Sequence, residues 1–222
     1  MNYKNLLMMV VFWGTFCNAQ NYYELPNVSK TYTVIVNAGK CDNTSCNGKT
    51  TIDLYDKATM KKHQTLFSDD FYLQLNEIKK PITDSLKNSV VFEDYNFDGI
   101  DDVAIADGLN NNKRLYKVYL KSESGQFAFN EGLTDFVRDH SLAFQTDSDR
   151  KRIITSSKNG CCKNFKSEYV FTPEQRLVKV YEFEEDTKDP KKVTTVEREF
   201  KDYKWFSKTT TYPRELYFKD KK

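Results

Sequence analysis

Short runs in which apolar and polar residues alternate recur along the chain, and they constrain its fold more than any other feature. Successive side chains of a β-strand point to opposite faces, so this alternation is typical of half-buried strands. The runs are "KTYTVIVNA", "TTIDLYD", "HQTLF", "FYLQL", "SVVFED", "DDVAIA", "LYKVYLK", "QFAFN", "RIITSS", "SEYVFT", "LVKVYEFE" and "KVTTVEREF". Turn sequences such as "SESG" and "TPEQ" separate them. The pattern predicts an all-β fold, an antiparallel meander of about a dozen short strands closed as a sandwich or a small propeller-like array.

One segment has helical rather than alternating spacing. In "NEGLTDFVRDH", the apolar residues Leu133, Phe136 and Val137 are three and four positions apart. We expect a helical turn there.

The first nineteen residues are typical of a secretory signal peptide rather than of a folded segment. Lys4 precedes the apolar run "LLMMVVFWGTF", and small residues lie before Gln20. Lipid attachment at Cys17 is the alternative, but the bulky Phe16 lies where such sites usually carry a small residue. Residues 20–222 contain no linker rich in Pro, Gly or Ser, and are predicted to form one exported domain.

The charge balance argues against nucleic acid as a partner, and the hydropathy argues against membrane insertion. The chain has 34 Lys and Arg against 32 Asp and Glu, and removal of the leader takes away one lysine. A nearly neutral protein is not expected to bind nucleic acid. No later segment is apolar enough to cross a membrane, so stable membrane insertion is not expected.

Four cysteines remain after the leader, and an exported chain can oxidise them. Cys41 and Cys46 flank the turn-like "DNTS", whereas Cys161 and Cys162 are adjacent. Four cysteines allow three pairings, between which the sequence does not decide. A zinc site is the alternative, but structural zinc sites usually space their thiolates by about two to four residues.

The most distinctive motif is an acidic loop between two predicted strands, in "VVFEDYNFDGIDDVAIADG". Against an EF-hand loop, Asp94, Asn96 and Asp98 fall on positions one, three and five, Gly99 on the turn position, and the Ile100 carbonyl on position seven.

Position twelve of that pattern, which is a glutamate in EF-hands, is Ile105, so Asp102 is the candidate that completes the ligand set. The predicted metal ligands are therefore Asp94, Asn96, Asp98, Ile100 and Asp102. Calcium, which takes about six to eight oxygen ligands, fits this donor set better than magnesium does. The alternative is a solvated acidic turn without a metal.

The order of elements resembles a family of bacterial periplasmic, calcium-binding, β-rich immunity proteins similar to periplasmic inhibitors of invertebrate-type lysozyme. The resemblance rests on a cysteine-flanked loop followed by "TIDLYDKATMKKHQTL", the "DYNFDGIDDVAI" loop, the hairpin "YKVYLKSESGQFAFNEGL", and "NGCCKNFKSEYVF" followed by "RLVKVYEFE". It covers most of residues 34 to 184, and the tail from Lys191 to Lys222 has no counterpart in it.

This resemblance implies an exported protein that holds calcium structurally and blocks a peptidoglycan-cleaving hydrolase by occupying its cleft. Lys158, Asn159 and Lys163, beside the adjacent cysteines, are the predicted partner contacts. The alternative is a periplasmic or surface module that binds glycan or protein and has no hydrolase target.

An enzyme is the least favoured class. The chain has two histidines, His63 in "MKKHQ" and His140 in "RDHSLAF", and neither lies in a recognisable nucleophile motif. No catalytic residue is predicted.

Overall fold

The computed structural model describes residues 21–219 except 26, 79, 112, 141 and 143. The predicted leader, the cleavage site and Cys17 lie outside this part of the chain. The described residues form fourteen strands and three short helices. The antiparallel all-β fold predicted from the alternating runs is confirmed.

The strands form three antiparallel sheets, each a meander in sequence order. The first sheet contains β1 (Asn21–Leu25), β2 (Tyr32–Cys41), β3 (Ser45–Asp56) and β4 (Lys62–Gln74). The second contains β5 (Val90–Glu93), β6 (Asp102–Asn110), β7 (Lys113–Lys121) and β8 (Phe127–Phe129). The third contains β9 (Phe144–Asp147), β10 (Arg152–Asn159), β11 (Lys163–Phe171), β12 (Leu177–Asp186), β13 (Lys192–Lys201) and β14 (Lys204–Pro213). The helices are α1 (Thr83–Lys87), α2 (Glu131–His140) and α3 (Arg214–Lys219). Among the described helices none is long and apolar enough to cross a membrane.

The main core lies between the first and second sheets, where β4 packs against β6. In β2 the residues Val34, Val36 and Ala38 are buried and alternate with half-buried neighbours, as the sequence pattern predicts. In β6 every residue from Asp102 to Gly108 is buried, because this central strand has packing on both faces. Burial of each large apolar side chain stabilises the fold by roughly 1.5–3 kcal/mol.

The third sheet joins this core mainly through its β9–β11 edge. Ile153 is fully buried there, and Phe136 of α2 packs against Phe144 and Tyr169 with ring centroids 5.6 and 4.8 Å apart. Towards the other edge the burial falls, and all but one of the residues of β14 are exposed. The β14 edge of this sheet therefore projects away from the core.

The helix predicted from the spacing of Leu133, Phe136 and Val137 is confirmed as α2. The Asn130 side chain accepts a hydrogen bond from the Leu133 N–H at 2.8 Å, which is the usual way a helix N-terminus is capped. Leu133 and Val137 are buried against the second sheet.

Both cysteine pairs are bonded, which confirms the disulfide prediction and selects one of the three pairings. Cys41 and Cys46 lie opposite each other across the β2–β3 hairpin. Cys161 and Cys162 form a bond between neighbours at the β10–β11 turn. Each bond therefore stays within a single hairpin.

Candidate functional site

The acidic loop joins β5 to β6, which confirms that strands rather than helices flank it. Glu93 and Asp102 are cross-strand partners in this antiparallel pair, so the strand ladder closes the base of the loop. Gly99 has a φ of 87°, a value that favours glycine and that makes the sharp turn expected at this position. Phe97 is 7% exposed and anchors the loop in the core.

The loop is curled around its own carboxylates. One oxygen of Asp94 accepts the Asp98 N–H at 3.1 Å and the other accepts the Gly99 N–H at 2.8 Å. Asp98 in turn accepts the Ile100 N–H at 2.8 Å. These bonds orient the side-chain oxygens towards the loop interior, as a cation-binding loop requires.

Asn96 connects this loop to the third sheet. Its amide nitrogen donates to Asp98 at 2.9 Å and to the side-chain oxygen of Gln175 at 3.3 Å. Gln175 lies in the turn between β11 and β12, and its carbonyl accepts a hydrogen bond from Asn130. The candidate site is therefore in contact with both the second and the third sheet.

Asp102 has a role that the EF-hand comparison does not predict. It is fully buried, and its two oxygens accept the Tyr95 N–H at 3.1 Å and the Lys121 N–H at 2.8 Å. Burial raises the pKa of Asp102 to about 7, against the lowering effect of these two bonds, and the charges of Asp98 and Asp94 raise it further. Asp102 thus fixes the base of the loop to β7.

The donor chemistry of this loop fits calcium, since all the candidate ligands are oxygens. Among the described residues, however, no group of three or more Asp, Glu, His or Cys side chains is gathered as a metal-binding cluster. The acidic side chains here are occupied by backbone N–H groups, as the distances above show. The calcium ligand set remains a prediction.

Tyr95, within the loop, has a buried hydroxyl for which the described structure offers no hydrogen-bond partner. We expect Tyr95→Phe to leave the protein as stable as before, or more stable by up to about 1 kcal/mol, because the substitution removes an unpaired buried polar group. Tyr116→Phe is the matched control, since the Tyr116 hydroxyl donates to the Asn88 carbonyl at 2.8 Å, and it should cost about 1 kcal/mol. Denaturant unfolding measures both; a larger loss for Tyr95→Phe than for Tyr116→Phe would contradict the expectation.

The predicted partner contacts lie at the tip of the β10–β11 hairpin but are not equivalent. Lys158 and Asn159 are exposed. Lys163, the cross-strand partner of Asn159, forms ion pairs with Glu184 at 2.9 Å and with Asp186 at 3.6 Å. Its charge is therefore already balanced within the sheet.

No feature of the sequence indicates the cluster of charged and polar groups around Asp107, which is buried in β6. One oxygen of Asp107 accepts hydrogen bonds from the Ser68 hydroxyl and from the backbone N–H groups of Asp69 and Asp70. Its other oxygen lies 3.3 Å from Arg138 and 3.6 Å from Lys117. These partners come from β4, β7 and α2, so no local motif could reveal them.

The two histidines occupy packing positions. His63 contacts the Gly125 carbonyl through Nε2 at 2.9 Å, and its ring lies 5.1 Å from that of Tyr32. His140 ends α2, and its ring lies 4.6 Å from that of Phe136. Burial lowers the pKa of His140.

Comparison with known proteins finds a similar fold but does not identify a function. No family model matches the chain, and no curated protein matches it. A solved structure described as a Xanthomonas Type IV secretion system related protein is similar, with a TM-score of 0.63 and 20% sequence identity over 86% of this chain and 98% of that chain. At this identity the likeness shows a common fold alone. The chain therefore shares its all-β fold with a secretion-system-related protein.

Proposed function

We propose that the protein is an exported, non-enzymatic binding protein that inhibits a peptidoglycan-cleaving, lysozyme-like hydrolase. Two disulfides within one chain are typical of proteins that fold in an oxidising compartment, which supports export. The resemblance of the sequence to periplasmic lysozyme inhibitors supplies the target class.

The observation that carries this proposal is the braced turn between β10 and β11, where the exposed Lys158 and Asn159 lie. At the β10–β11 turn, the Cys162 carbonyl accepts hydrogen bonds from the Thr187 N–H at 2.8 Å and from its hydroxyl at 3.1 Å. Braced, convex elements suit a concave enzyme cleft, because they lose little conformational entropy on binding.

We also propose that calcium occupies the loop between β5 and β6, with Asp94, Asn96, Asp98 and the Ile100 carbonyl as ligands and Asp102 closing its base. The curled backbone and the oxygen donor set support this assignment. Calcium bound there would neutralise carboxylates that otherwise repel one another. Its contribution would be structural.

The mature protein is expected to inhibit at least one hydrolase of this class. The measurement is peptidoglycan hydrolysis by goose-type, chicken-type and invertebrate-type lysozymes, and by hydrolases of the protein's own organism, at micromolar concentrations of the protein. A pull-down from the organism's envelope extract, with and without calcium, would identify the partner. If every hydrolase of the panel stayed fully active, the inhibitor proposal would be wrong.

A second candidate function, glycan binding without a hydrolase target, is favoured by one pocket. A cavity of about 500 Å³ lies beside the acidic loop, lined by residues that include Asn96, Lys121 and Phe129. Its volume lies within the range of about 300–1,000 Å³ that is usual for small-ligand sites. Co-sedimentation of the protein with purified peptidoglycan, in the absence of any hydrolase, would favour this function.

A further inference from the structure

A second cavity lies where β4, β5, β7 and α1 meet, and it is larger than the one beside the acidic loop. Its volume is about 750 Å³, within the range of about 300–1,000 Å³ that is usual for small-ligand sites. The apolar part of its lining comes from Ile82, Val91 and Leu142, and most of the rest is polar or charged. The described residues that line it include neither a proposed calcium ligand nor any residue of the β10–β11 turn.

A guanidinium without a carboxylate partner lines this cavity. Arg114, in β7, is half-buried and donates to the Ser85 carbonyl at 2.9 Å and to the Ser85 hydroxyl at 3.2 Å. Burial lowers the pKa of Arg114, and only the phenol groups of Tyr116 and Tyr72 act against this effect, so in the described part of the chain no carboxylate balances its charge. Charged groups that are taken out of water are normally paired. The unpaired guanidinium therefore indicates an anionic group on a ligand.

Further donors are available beside this guanidinium. The N–H groups of Arg114 that do not donate to Ser85 have no other acceptor among the described residues. The Tyr72 hydroxyl, from β4, also makes no hydrogen bond to any described residue, whereas that of Tyr116 donates to the Asn88 carbonyl at 2.8 Å. A guanidinium binds a carboxylate well, because both groups are planar and can form two parallel hydrogen bonds. This part of the cavity therefore suits a ligand carboxylate.

Two carboxylates also line the cavity, and they determine the other half of the ligand's chemistry. Asp84 is exposed in α1, and Glu93 is exposed at the end of β5, where it accepts a hydrogen bond from the Thr146 hydroxyl at 3.1 Å. Neither is among the groups that shift the pKa of Arg114, so neither neutralises it. These carboxylates repel a multiply charged anion such as phosphate, whereas they attract an ammonium group. The charges of the lining together therefore complement a zwitterion.

We propose that this cavity binds a zwitterion of the amino-acid class, a free amino acid or a short peptide, with its carboxylate on Arg114 and its ammonium group beside Asp84. An apolar side chain of the ligand packs against the apolar part of the lining. This binding site goes beyond the inhibitor function and does not depend on it, because no residue proposed to contact a hydrolase lines the cavity.

Isothermal titration calorimetry of the full mature protein, without any hydrolase, tests the two charged contacts separately. The probes are the dipeptide Ala-Leu, its C-terminal amide, which lacks the carboxylate, and its N-acetyl derivative, which lacks the ammonium group. We expect Ala-Leu to bind and each derivative to bind about tenfold more weakly, because each leaves one charged contact unmade. Free leucine is measured alongside, and its affinity relative to that of Ala-Leu shows whether the site takes the amino acid or the peptide.

Two substitutions assign these contacts to residues. Asp84→Asn should lower the affinity for Ala-Leu to that for the N-acetyl derivative, and should leave the affinity for the N-acetyl derivative unchanged. Arg114→Gln should lower the affinity for Ala-Leu to that for the amide, and should leave the affinity for the amide unchanged. Asp149→Asn is the control and should bind as the wild type does, because Asp149 is also an exposed aspartate but does not line the cavity.

The inference is wrong if neither Ala-Leu nor leucine binds at millimolar concentrations, or if the two derivatives bind as tightly as Ala-Leu. It is also wrong if Asp84→Asn binds Ala-Leu like the wild type. Asp84 is exposed, so this result stands even if Arg114→Gln loosens the contact with Ser85. The variants should inhibit a hydrolase as the wild type does, so the outcome is separate from that of the inhibitor proposal.

Discussion

Replacement of Asp107 by alanine is expected to lower the free energy of unfolding by about 2 to 4 kcal/mol, which corresponds to a fall in Tm of about 5 to 15 °C. Asp107 is 8% exposed and accepts three hydrogen bonds on one oxygen. Its removal leaves the Ser68 hydroxyl, which is 2% exposed, and two backbone N–H groups without this acceptor. It also leaves Arg138 without its closest carboxylate. Loss of a buried carboxylate that leaves several donors without an acceptor is among the more destabilising single changes.

Asp69→Ala is the matched control for Asp107→Ala. Asp69 also pairs with Lys117, but its side chain is 70% exposed, so its removal should cost no more than about 1 kcal/mol. Thermal and denaturant unfolding of both variants provide the measurement. If both substitutions lowered the free energy of unfolding equally, the burial of Asp107 would contribute nothing to stability.

The same network predicts an acid dependence. Burial acts to raise the pKa of Asp107, but the hydrogen bonds from Asp70, Asp69 and Ser68, with the charge of Lys117, lower it overall. A carboxyl whose pKa is lower in the folded state stabilises the fold above its unfolded pKa of about 3.9. That contribution to stability is lost as the pH falls through the pKa that the carboxyl has in the folded state. The difference in unfolding free energy between the wild type and Asp107→Ala should therefore become smaller below about pH 4.

Calcium is expected to raise the Tm of the wild type by about 5 to 10 °C. Extracellular calcium modules bind with dissociation constants of about 0.1 to 1 mM, and a hundredfold excess over the dissociation constant stabilises a fold by about 2.7 kcal/mol. For a domain of this size that free energy corresponds to several degrees. The gain comes from neutralising the Asp94 and Asp98 carboxylates, whose mutual repulsion opposes the curled loop.

Two substitutions decide whether this stabilisation comes from the loop. Asp98→Ala should abolish most of the calcium-dependent shift, because it removes a charged ligand. Asp101→Ala is the control, since Asp101 is exposed and occupies a position that carries no ligand in the EF-hand comparison. The comparison is between melts in EDTA and in about 10 to 100 mM calcium, which is the hundredfold excess, for each variant, so any effect on the calcium-free protein cancels. Equal midpoints for the wild type in the two conditions would mean that the loop holds no calcium.

The sequence predicted those features that depend on local periodicity. Alternation in segments such as Val34 to Ala38 predicted strands, and the spacing of Leu133, Phe136 and Val137 predicted α2, because each pattern reports the burial of one face of one element. The division of the strands into three sheets was not predictable in this way, since it depends on which faces meet in space.

In the candidate sites, too, the sequence predicts groups of neighbouring residues but not contacts between different strands. The acidic loop was recognisable because its carboxylate and amide side chains are neighbours in sequence. The buried role of Asp102, by contrast, depends on Lys121 in another strand. The pairing of Lys163 with Glu184 and Asp186 likewise crosses from β11 to β12. Each of these contacts joins segments that the sequence pattern treats separately.

The local nature of both disulfides has a consequence for oxidative folding. Bonded cysteines lie five positions apart in one pair and adjacent in the other. The two alternative pairings would each have to close a loop of more than a hundred residues, between the Cys41–Cys46 hairpin and the Cys161–Cys162 turn. Loop-closure entropy adds about 0.6 kcal/mol for each doubling of loop length, so Cys41 meets Cys46 far more often than it meets Cys161 or Cys162. Once the Cys41–Cys46 bond has formed, the other two cysteines have only each other as partners. In an oxidising compartment the chain should therefore reach its native pairing directly, without a disulfide isomerase to correct it.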